Sequence, residues 1–198
     1  MKPKNALKKL KLLLLAPSFT SKEAHIRGVS SSTLAYYVKQ NELTRIGHGI
    51  YRGANAPVID DFRWEDLIEA MQRVKEGVIC LTSALSLYRL TEEMPSQHWI
   101  AIRNDTVHRA MPSTKVVRMR NLTLGKTKIK IGNITLPIFD RERTIVDAFR
   151  YLGREAALKA LKTALTKKGS EKINIEKIRQ YAKKLRVKIE PFLIAMTL

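Results

Sequence analysis

Residues 19–52 read FTSKEAHIRGVSSSTLAYYVKQNELTRIGHGIYR, and this stretch contains the clearest structural signals in the chain. Thr20 and Glu23 have the spacing of a capping box, which predicts that a helix begins directly after Thr20. Gly28 is a natural end for that helix, and Ser30 can cap a second helix over residues 31–40. Two helices joined by a short turn that contains glycine are typical of a helix-turn-helix unit.

A hairpin is expected directly after these two helices. Residues 43–46 and 50–52 alternate apolar and polar side chains, and Gly47-His48-Gly49 between them can form a tight loop. Upstream, residues 4–15 carry leucines at helical spacing and predict a further amphipathic helix. These elements together predict a winged helix-turn-helix domain, in which the hairpin is the wing.

The second helix and the wing supply the predicted DNA contacts. Small hydroxyls at a helix N-terminus can approach phosphates, where exposed N–H groups favour anions, and longer polar side chains can reach base edges. In the helix the predicted contacts are Ser30, Ser31, Ser32, Thr33, Tyr36, Tyr37, Lys39 and Gln40, and in the wing they are Arg45, His48 and Arg52. One of the two adjacent tyrosines is expected in the core, because neighbours on a helix face different directions.

Charge supports an anionic partner. The net charge is +19 and the isoelectric point is about 10.2, which indicates binding to nucleic acid, to an acidic protein or to a membrane surface. Residues 1–57 hold ten Lys and Arg against two acids, which favours DNA over a purely structural role for the helix-turn-helix. This +8, taken from +19, leaves +11 for residues 58–198. No apolar stretch approaches the roughly 18 residues of a membrane span, and the cytoplasm is the expected location.

The predicted fold class is α+β, with a winged helix-turn-helix domain over residues 1–57 and a mixed α/β domain over residues 58–198. Small and helix-breaking residues at 53–57 indicate the linker. In the second domain we expect a helix that starts at Asp60 or Asp61 and another that Thr82 or Ser83 caps. Strands are expected at residues 99–103 and 115–120, with a hairpin at 126–131 and 134–139, and helices are expected after Asp140.

The first strand of that hairpin alternates lysine with other residues. Alternation predicts that Lys126, Lys128 and Lys130 share one exposed face. This face is a candidate second DNA contact. Lysines on an exposed strand edge can also simply discourage aggregation, and the sequence leaves both readings open.

Catalytic, cofactor and metal signatures are not recognisable in the sequence. The single Cys80 excludes an internal disulfide framework and a Cys-rich zinc site, and its apolar neighbours predict a buried thiol. A nuclease needs clustered carboxylates for Mg²⁺, and many such sites place a Lys two residues after an acid, which is not found here. The densest charged group is instead predicted to form structural ion pairs around a helix start; it consists of Asp140, Arg141, Glu142, Arg143 and Asp147.

The order of these parts resembles that of AbiEi-family antitoxins. The similar segments are TSKEAHIRGVSSSTLAYYVKQNELTRIGHGIYRG at 20–53, TSALSLYRL at 82–90 and FDRERTIVDAFRY at 139–151. The resemblance implies an autorepressor that binds inverted repeats in double-stranded operator DNA. It further implies a second domain that supplies antitoxicity in a type IV abortive-infection system. The implied toxin is a nucleotidyltransferase-like protein that forms no stable complex with its antitoxin.

Two other functions compete with this hypothesis. A nucleic-acid-processing enzyme such as a nuclease could use the winged domain only for targeting. A protein-binding antitoxin could instead neutralise an acidic toxin directly, and stable co-purification with that toxin would favour it.

Overall fold

We analysed a computed structural model of the 198-residue chain. The structure describes residues 6–16, 18–56, 64–74, 76–107, 110–111, 113–132 and 134–197. The chain forms two compact units: one contains the residues up to Arg73 with Lys130–Thr135, and the other contains Val74–Ile129 and Leu136–Leu198. The predicted domain boundary and the predicted helix start at Asp60 or Asp61 lie outside the described residues.

The described residues of the N-terminal unit form four helices and a three-stranded sheet. Its elements are α1 (Ala6–Leu14), β1 (Phe19–Thr20), α2 (Ser21–Ile26), α3 (Ser31–Lys39), β2 (Leu43–Gly47), β3 (Ile50–Gly53) and α4 (Glu65–Arg73). The strands lie in the order β1-β3-β2, and β3 is antiparallel to both neighbours. The two predicted helices and the hairpin are therefore confirmed.

Local signals in the sequence account for these elements. The amide of Thr20 donates to the Glu23 carboxylate over 2.7 Å, and the Glu23 amide donates back to the Thr20 hydroxyl over 3.2 Å, which completes the predicted capping box. Gly28 follows α2 with a φ of +72°, which favours glycine. Strand β1 was not predicted, because two residues directly before a helix cap leave no readable alternation.

One apolar core joins the first three helices to the small sheet. Leu10 of α1, Ala24 of α2 and Leu34 of α3 are fully buried, and they pack with Phe19 and Tyr51 of the sheet. The Phe19 and Tyr51 rings stack with their centroids 6.0 Å apart. Because α3 and the hairpin pack on the same core, their outer faces are held in a fixed relation.

The second unit combines helices with most of a five-stranded sheet, of which residues 130–135 are grouped with the N-terminal unit. Its strands are β4 (Val78–Ile79), β5 (His98–Arg103), β6 (Thr114–Met119), β7 (Lys126–Ile131) and β8 (Ile134–Phe139), in the order β6-β5-β4-β8-β7. Its helices are α5 (Leu81–Leu87), α6 (Arg141–Tyr151), α7 (Arg154–Thr166), α8 (Ile175–Leu185) and α9 (Glu190–Thr197). The α+β fold class and the predicted β7–β8 hairpin are confirmed.

The start of α5 corrects one prediction. The helix begins at Leu81, with Cys80 in the N-cap position, and is not capped by Thr82 or Ser83. The Ser83 hydroxyl instead accepts a hydrogen bond from the Trp99 amide over 2.8 Å. The serine therefore ties α5 to β5, a contact between residues 16 positions apart that a local pattern does not reveal.

Two apolar clusters among the described residues stabilise this unit. One lies among α5 to α9 and includes the fully buried Ile145, Leu161 and Ile178. The other lies against the sheet and includes Cys80 and Phe139, both fully buried. The predicted burial of the Cys80 thiol is therefore confirmed. Within the described residues, none of the helices is long and apolar enough to span a membrane.

Candidate nucleic-acid interface

The first turn of α3 presents a cluster of hydroxyls. The Ser30 hydroxyl caps the helix by accepting from the Thr33 amide over 3.3 Å, and it lies 2.9 Å from the Ser32 and Thr33 hydroxyl oxygens. Ser30, Ser31 and Ser32 are exposed, whereas Thr33 is half-buried. Exposed hydroxyls beside the free amides of a helix N-terminus are suitable hydrogen-bond partners for phosphate oxygens.

The adjacent tyrosines of α3 have different environments. Tyr37 is only 6% exposed and packs in the core of the N-terminal unit, whereas Tyr36 is half-buried. Their rings meet edge to face, with centroids 5.4 Å apart. The prediction that one of the pair belongs to the core is confirmed, and Tyr36 is the one with ring surface left for a partner.

The end of α3 places two more polar side chains in solvent. Lys39 and Gln40 are both exposed. They lie about 13 Å along the helix from the serine cluster, since a helix rises about 1.5 Å per residue. The exposed face of α3 therefore has a hydroxyl-rich end and a cationic end.

The tip of the wing holds a second exposed cation. Arg45 is exposed, its Nε donates to the Gly47 carbonyl over 3.3 Å, and its Nη2 lies 3.5 Å from His48 Nδ1. His48 is exposed too. The amide of Ser21 donates to the Gly49 carbonyl over 2.7 Å, which fixes the hairpin tip to the start of α2. Arg45 and His48 thus form a small positive tip on an anchored hairpin.

Arg52, the third predicted wing contact, forms an ion pair within the N-terminal unit. Its Nη2 lies 3.1 Å from Glu65 Oε1 of α4, and both side chains are about a quarter exposed. Gln72 of α4 donates to the Ser18 hydroxyl over 2.8 Å. Sequence reasoning missed Glu65 and Gln72 because their partners lie far along the chain. Arg52 therefore helps to hold α4 beside the hairpin.

Gly47 shows how closely α4 approaches the wing. A Cβ atom at this position would collide with the ion-paired side chains of Glu69 and Arg73. A side chain at this position would have to displace the ends of the Glu69 and Arg73 side chains, at the end of β2 where the pairing with β3 shifts register between Arg45 and Gly47.

The lysine row predicted in the second domain lies on an edge strand. Lys126, Lys128 and Lys130 are all exposed on β7, the last strand in the sheet order. Thr127 is exposed as well, so the predicted alternation of burial begins only at Ile129. The arrangement agrees with a DNA contact and equally with protection of a strand edge.

The charged group around the start of α6 forms the predicted network of ion pairs. Lys177 of α8 lies 2.9 Å from Asp140 Oδ2 and 3.4 Å from Glu142 Oε2, and Arg143 Nε lies 2.7 Å from Asp147 Oδ2. Burial opposes the charge on Lys177, but hydrogen bonding and attraction from the two carboxylates raise its pKa above the usual range. Its structural role is therefore to fix α8 on α6.

The part of the chain that the structure describes contains no group of three or more His, Cys, Asp or Glu side chains that could hold a metal ion. Asp147 is the most deeply buried of the acids near α6, and burial raises the pKa of its carboxyl.

Three helices followed by an anchored hairpin have the element order of a winged helix-turn-helix protein. Residues 12–52 match a family model described as "Transcriptional regulator, AbiEi antitoxin". The match runs from within α1 to the wing residue Arg52. The predicted resemblance to AbiEi-family antitoxins is thereby confirmed for the N-terminal segment, and the class that it indicates is a transcriptional regulator and antitoxin of abortive-infection systems. The similar segments at 82–90 and 139–151 lie outside the matched residues. The search of curated proteins found no significant match to this chain.

Proposed function

We propose that this chain is a DNA-binding transcriptional autorepressor and the antitoxin of a type IV toxin–antitoxin system, acting in the cytoplasm. The observation that carries the proposal is the family match over residues 12–52, because the matched segment contains the exposed hydroxyl and cationic side chains described above. The proposed activity requires binding and no catalysis by this chain.

In the proposed complex, α3 lies in the major groove of the operator. The serines of its first turn contact phosphate, and Lys39, Gln40 and Tyr36 reach base edges or the neighbouring backbone. Tyr37 supports the helix from the core, so we omit it from the contact set.

The wing would contact the DNA backbone beside this groove. Arg45 and His48 are the proposed contacts, because both are exposed at a tip that is fixed to α2. Arg52 acts indirectly in this proposal, through its ion pair with Glu65. The lysine row of β7 would add phosphate contacts that carry no sequence information.

Gel-shift titration against the DNA upstream of the chain's own gene tests operator binding. The upstream fragment should bind more tightly than a scrambled fragment of the same length, and inverted repeats should be protected. Lys39→Ala should weaken binding uniformly if Lys39 meets phosphate and should relax specificity if it meets a base. Lys162→Gln is the matched control, because Lys162 is an exposed cation of α7. Equal affinity for both fragments would refute the proposed repressor function.

Antitoxicity requires a separate experiment. We expect a nucleotidyltransferase-like toxin to be encoded beside this chain, and we expect its growth arrest to be relieved when the chain is co-expressed from an unrelated promoter. The two purified proteins should elute separately in size-exclusion chromatography. Stable co-elution would favour an antitoxin that binds its toxin directly, and absence of rescue would refute the antitoxin role.

A further inference from the structure

A second cationic site lies in the C-terminal unit. None of its residues belongs to the proposed DNA contacts. A cavity of about 410 Å³ opens among α6, α7 and the segment that joins α8 to α9. This volume falls within the range of roughly 300–1,000 Å³ that is typical of small-molecule sites. The residues that give the cavity its chemistry are Phe149, Arg150, Arg154, Arg186, Lys188 and Phe192.

Four cations converge on this cavity without a carboxylate in its lining. All four are exposed, and within the described residues none forms a salt bridge with an acid. Of the acids close by in sequence, Glu155 pairs with Lys159 over 2.7 Å and Glu190 pairs with Arg179 over 3.0 Å, while Asp147 pairs with Arg143 and also attracts Arg150. Four like charges around one concave surface repel each other, and a bound anion would relieve that repulsion.

The backbone at Arg186 adds an independent observation. Arg186 caps the end of α8 in the left-handed conformation, with φ 57° and ψ 44°. Glycine is the usual residue at such a position, since a side chain there is strained. An arginine side chain at this strained position projects from the same segment as Lys188 and lines the cavity. This cap ends α8 and brings Arg186 and Lys188 to the same side of the cavity lining.

Two aromatic rings also line the cavity. The rings of Phe149 and Phe192 stack with centroids 5.3 Å apart and an interplanar angle of 25°. The Arg154 guanidinium lies 5.7 Å from the centroid of the Phe192 ring. Bases pack well against aromatic rings and against guanidinium planes, and arginine forks match phosphate oxygens.

We propose that this cavity binds a nucleotide. Its phosphate would lie among Arg150, Arg186 and Lys188, and its base would pack against the Phe149–Phe192 pair and Arg154. The nucleotide is either free in solution or the terminal unit of a single strand. Paired bases inside a duplex are stacked on one another and do not enter such a cavity, so this site is distinct from the operator-binding surface.

Isothermal titration calorimetry on the full chain tests the proposal with ATP, AMP, adenosine, inorganic phosphate and a 5′-phosphorylated single-stranded octanucleotide. ATP or the octanucleotide should bind at least tenfold more tightly than adenosine or inorganic phosphate. Tighter binding of ATP assigns the free nucleotide as the ligand, and tighter binding of the octanucleotide assigns the strand terminus.

The variants separate this site from the general positive charge of the chain. Arg150→Gln combined with Arg186→Gln should weaken binding by on the order of a hundredfold, since two charge-assisted contacts are lost. Lys162→Gln combined with Lys168→Gln removes the same charge from exposed positions outside the cavity and should change affinity less than threefold.

Arg186→Gly keeps the experiment informative if the double variant does not fold. Glycine suits the left-handed backbone, so this variant should unfold at no lower temperature than the parent chain and yet bind nucleotide at least tenfold more weakly. The proposal is overturned if neither ATP nor the octanucleotide binds. It is also overturned if the two double variants lose affinity equally, or if inorganic phosphate binds as tightly as ATP.

Discussion

The buried arginine at the start of α6 allows a quantitative prediction. Arg143 is 1% exposed, and its guanidinium pairs with Asp147 over 2.7 Å, donates to the Leu124 carbonyl over 3.0 Å and donates to the Asn121 carbonyl over 3.3 Å. It also lies 4.5 Å from the centroid of the Phe139 ring. Arg143→Met retains most of the packed volume but removes every one of these polar contacts.

We expect this substitution to lower the free energy of unfolding of the C-terminal unit by about 3–5 kcal/mol, because it leaves a buried carboxylate without its partner. Domains are commonly stable by only about 5–15 kcal/mol, so the loss is a large share of the total. Arg103→Met is the matched control. Its ion pair with Asp105 has a similar distance of 2.6 Å, but the side chains are 61% and 58% exposed, and the expected loss of stability is therefore much smaller.

A third variant distinguishes two effects: the loss of the ion pair itself, and the cost of leaving the Asp147 carboxylate buried without a partner. Arg143→Met combined with Asp147→Leu replaces the buried pair with apolar groups, and we expect it to be more stable than Arg143→Met alone. Urea denaturation should be followed by Trp99 fluorescence in a Trp64→Phe background, since Trp99 is then the single tryptophan. If Arg143→Met and Arg103→Met lowered the free energy of unfolding equally, the argument that burial makes the Arg143 pair more important would be refuted.

The pH dependence of Arg143→Met follows from Asp147. Burial raises the pKa of this carboxyl in the folded state above its unfolded value, so the folded state binds the proton more readily. The contribution of Asp147 to stability is then greatest below the unfolded pKa and is lost as pH rises through the folded pKa. Arg143→Met removes the cation that opposes this shift, and its destabilisation should therefore be larger at pH 7 than near pH 4. A loss that is the same at both values would contradict this reasoning.

Three further predictions concern single side chains. Ser30→Ala should cost about 1 kcal/mol of stability through loss of the α3 cap, whereas Ser31→Ala, its exposed neighbour, should cost less than about 0.5 kcal/mol in thermal unfolding. Arg45→Gln should reduce the slope of log K against log salt for operator binding by about 0.9 if Arg45 meets one phosphate, and Lys162→Gln should leave that slope unchanged. Burial, followed by the charge of Asp147, raises the pKa of the Cys80 thiol well above its usual value, so a thiol reagent at pH 8 should modify Cys80 only after unfolding. Rapid labelling of the folded chain would contradict the buried position.

Local signals in the sequence predicted the elements of the N-terminal unit well. Thr20, Glu23, Gly28 and Ser30 act within a few residues of their own positions, through caps and a turn, and these short-range interactions can be read directly from spacing. A local interaction of the same kind occurs at Asn174, whose side chain accepts from the Lys177 amide and caps α8.

Contacts between distant residues were not predictable in this way. The pairing of Arg52 with Glu65 joins the wing to a helix across residues 57–63, and the Arg143 guanidinium reaches carbonyls 19 and 22 residues earlier in the chain. A charged side chain has the same sequence signature whether it is exposed or paired. The structure is therefore needed to distinguish Arg45, which is exposed, from Arg52, which forms an ion pair with Glu65.

The positions of the acids explain why the positive charge of a chain with a net charge of +19 need not be spread uniformly over its surface. In the C-terminal unit, acids such as Asp140, Glu142 and Asp147 pair with Lys177 or Arg143, close to the start of α6. These acids neutralise cations that stabilise the fold, and further acids pair with exposed cations such as Lys159 and Arg179. Exposed cations without a salt bridge among the described residues are grouped on the β7 lysine row and around the cavity beside α9, where a bound anion would reduce their mutual repulsion. A charge excess that served only solubility would have no reason to converge on a concave surface with an aromatic side.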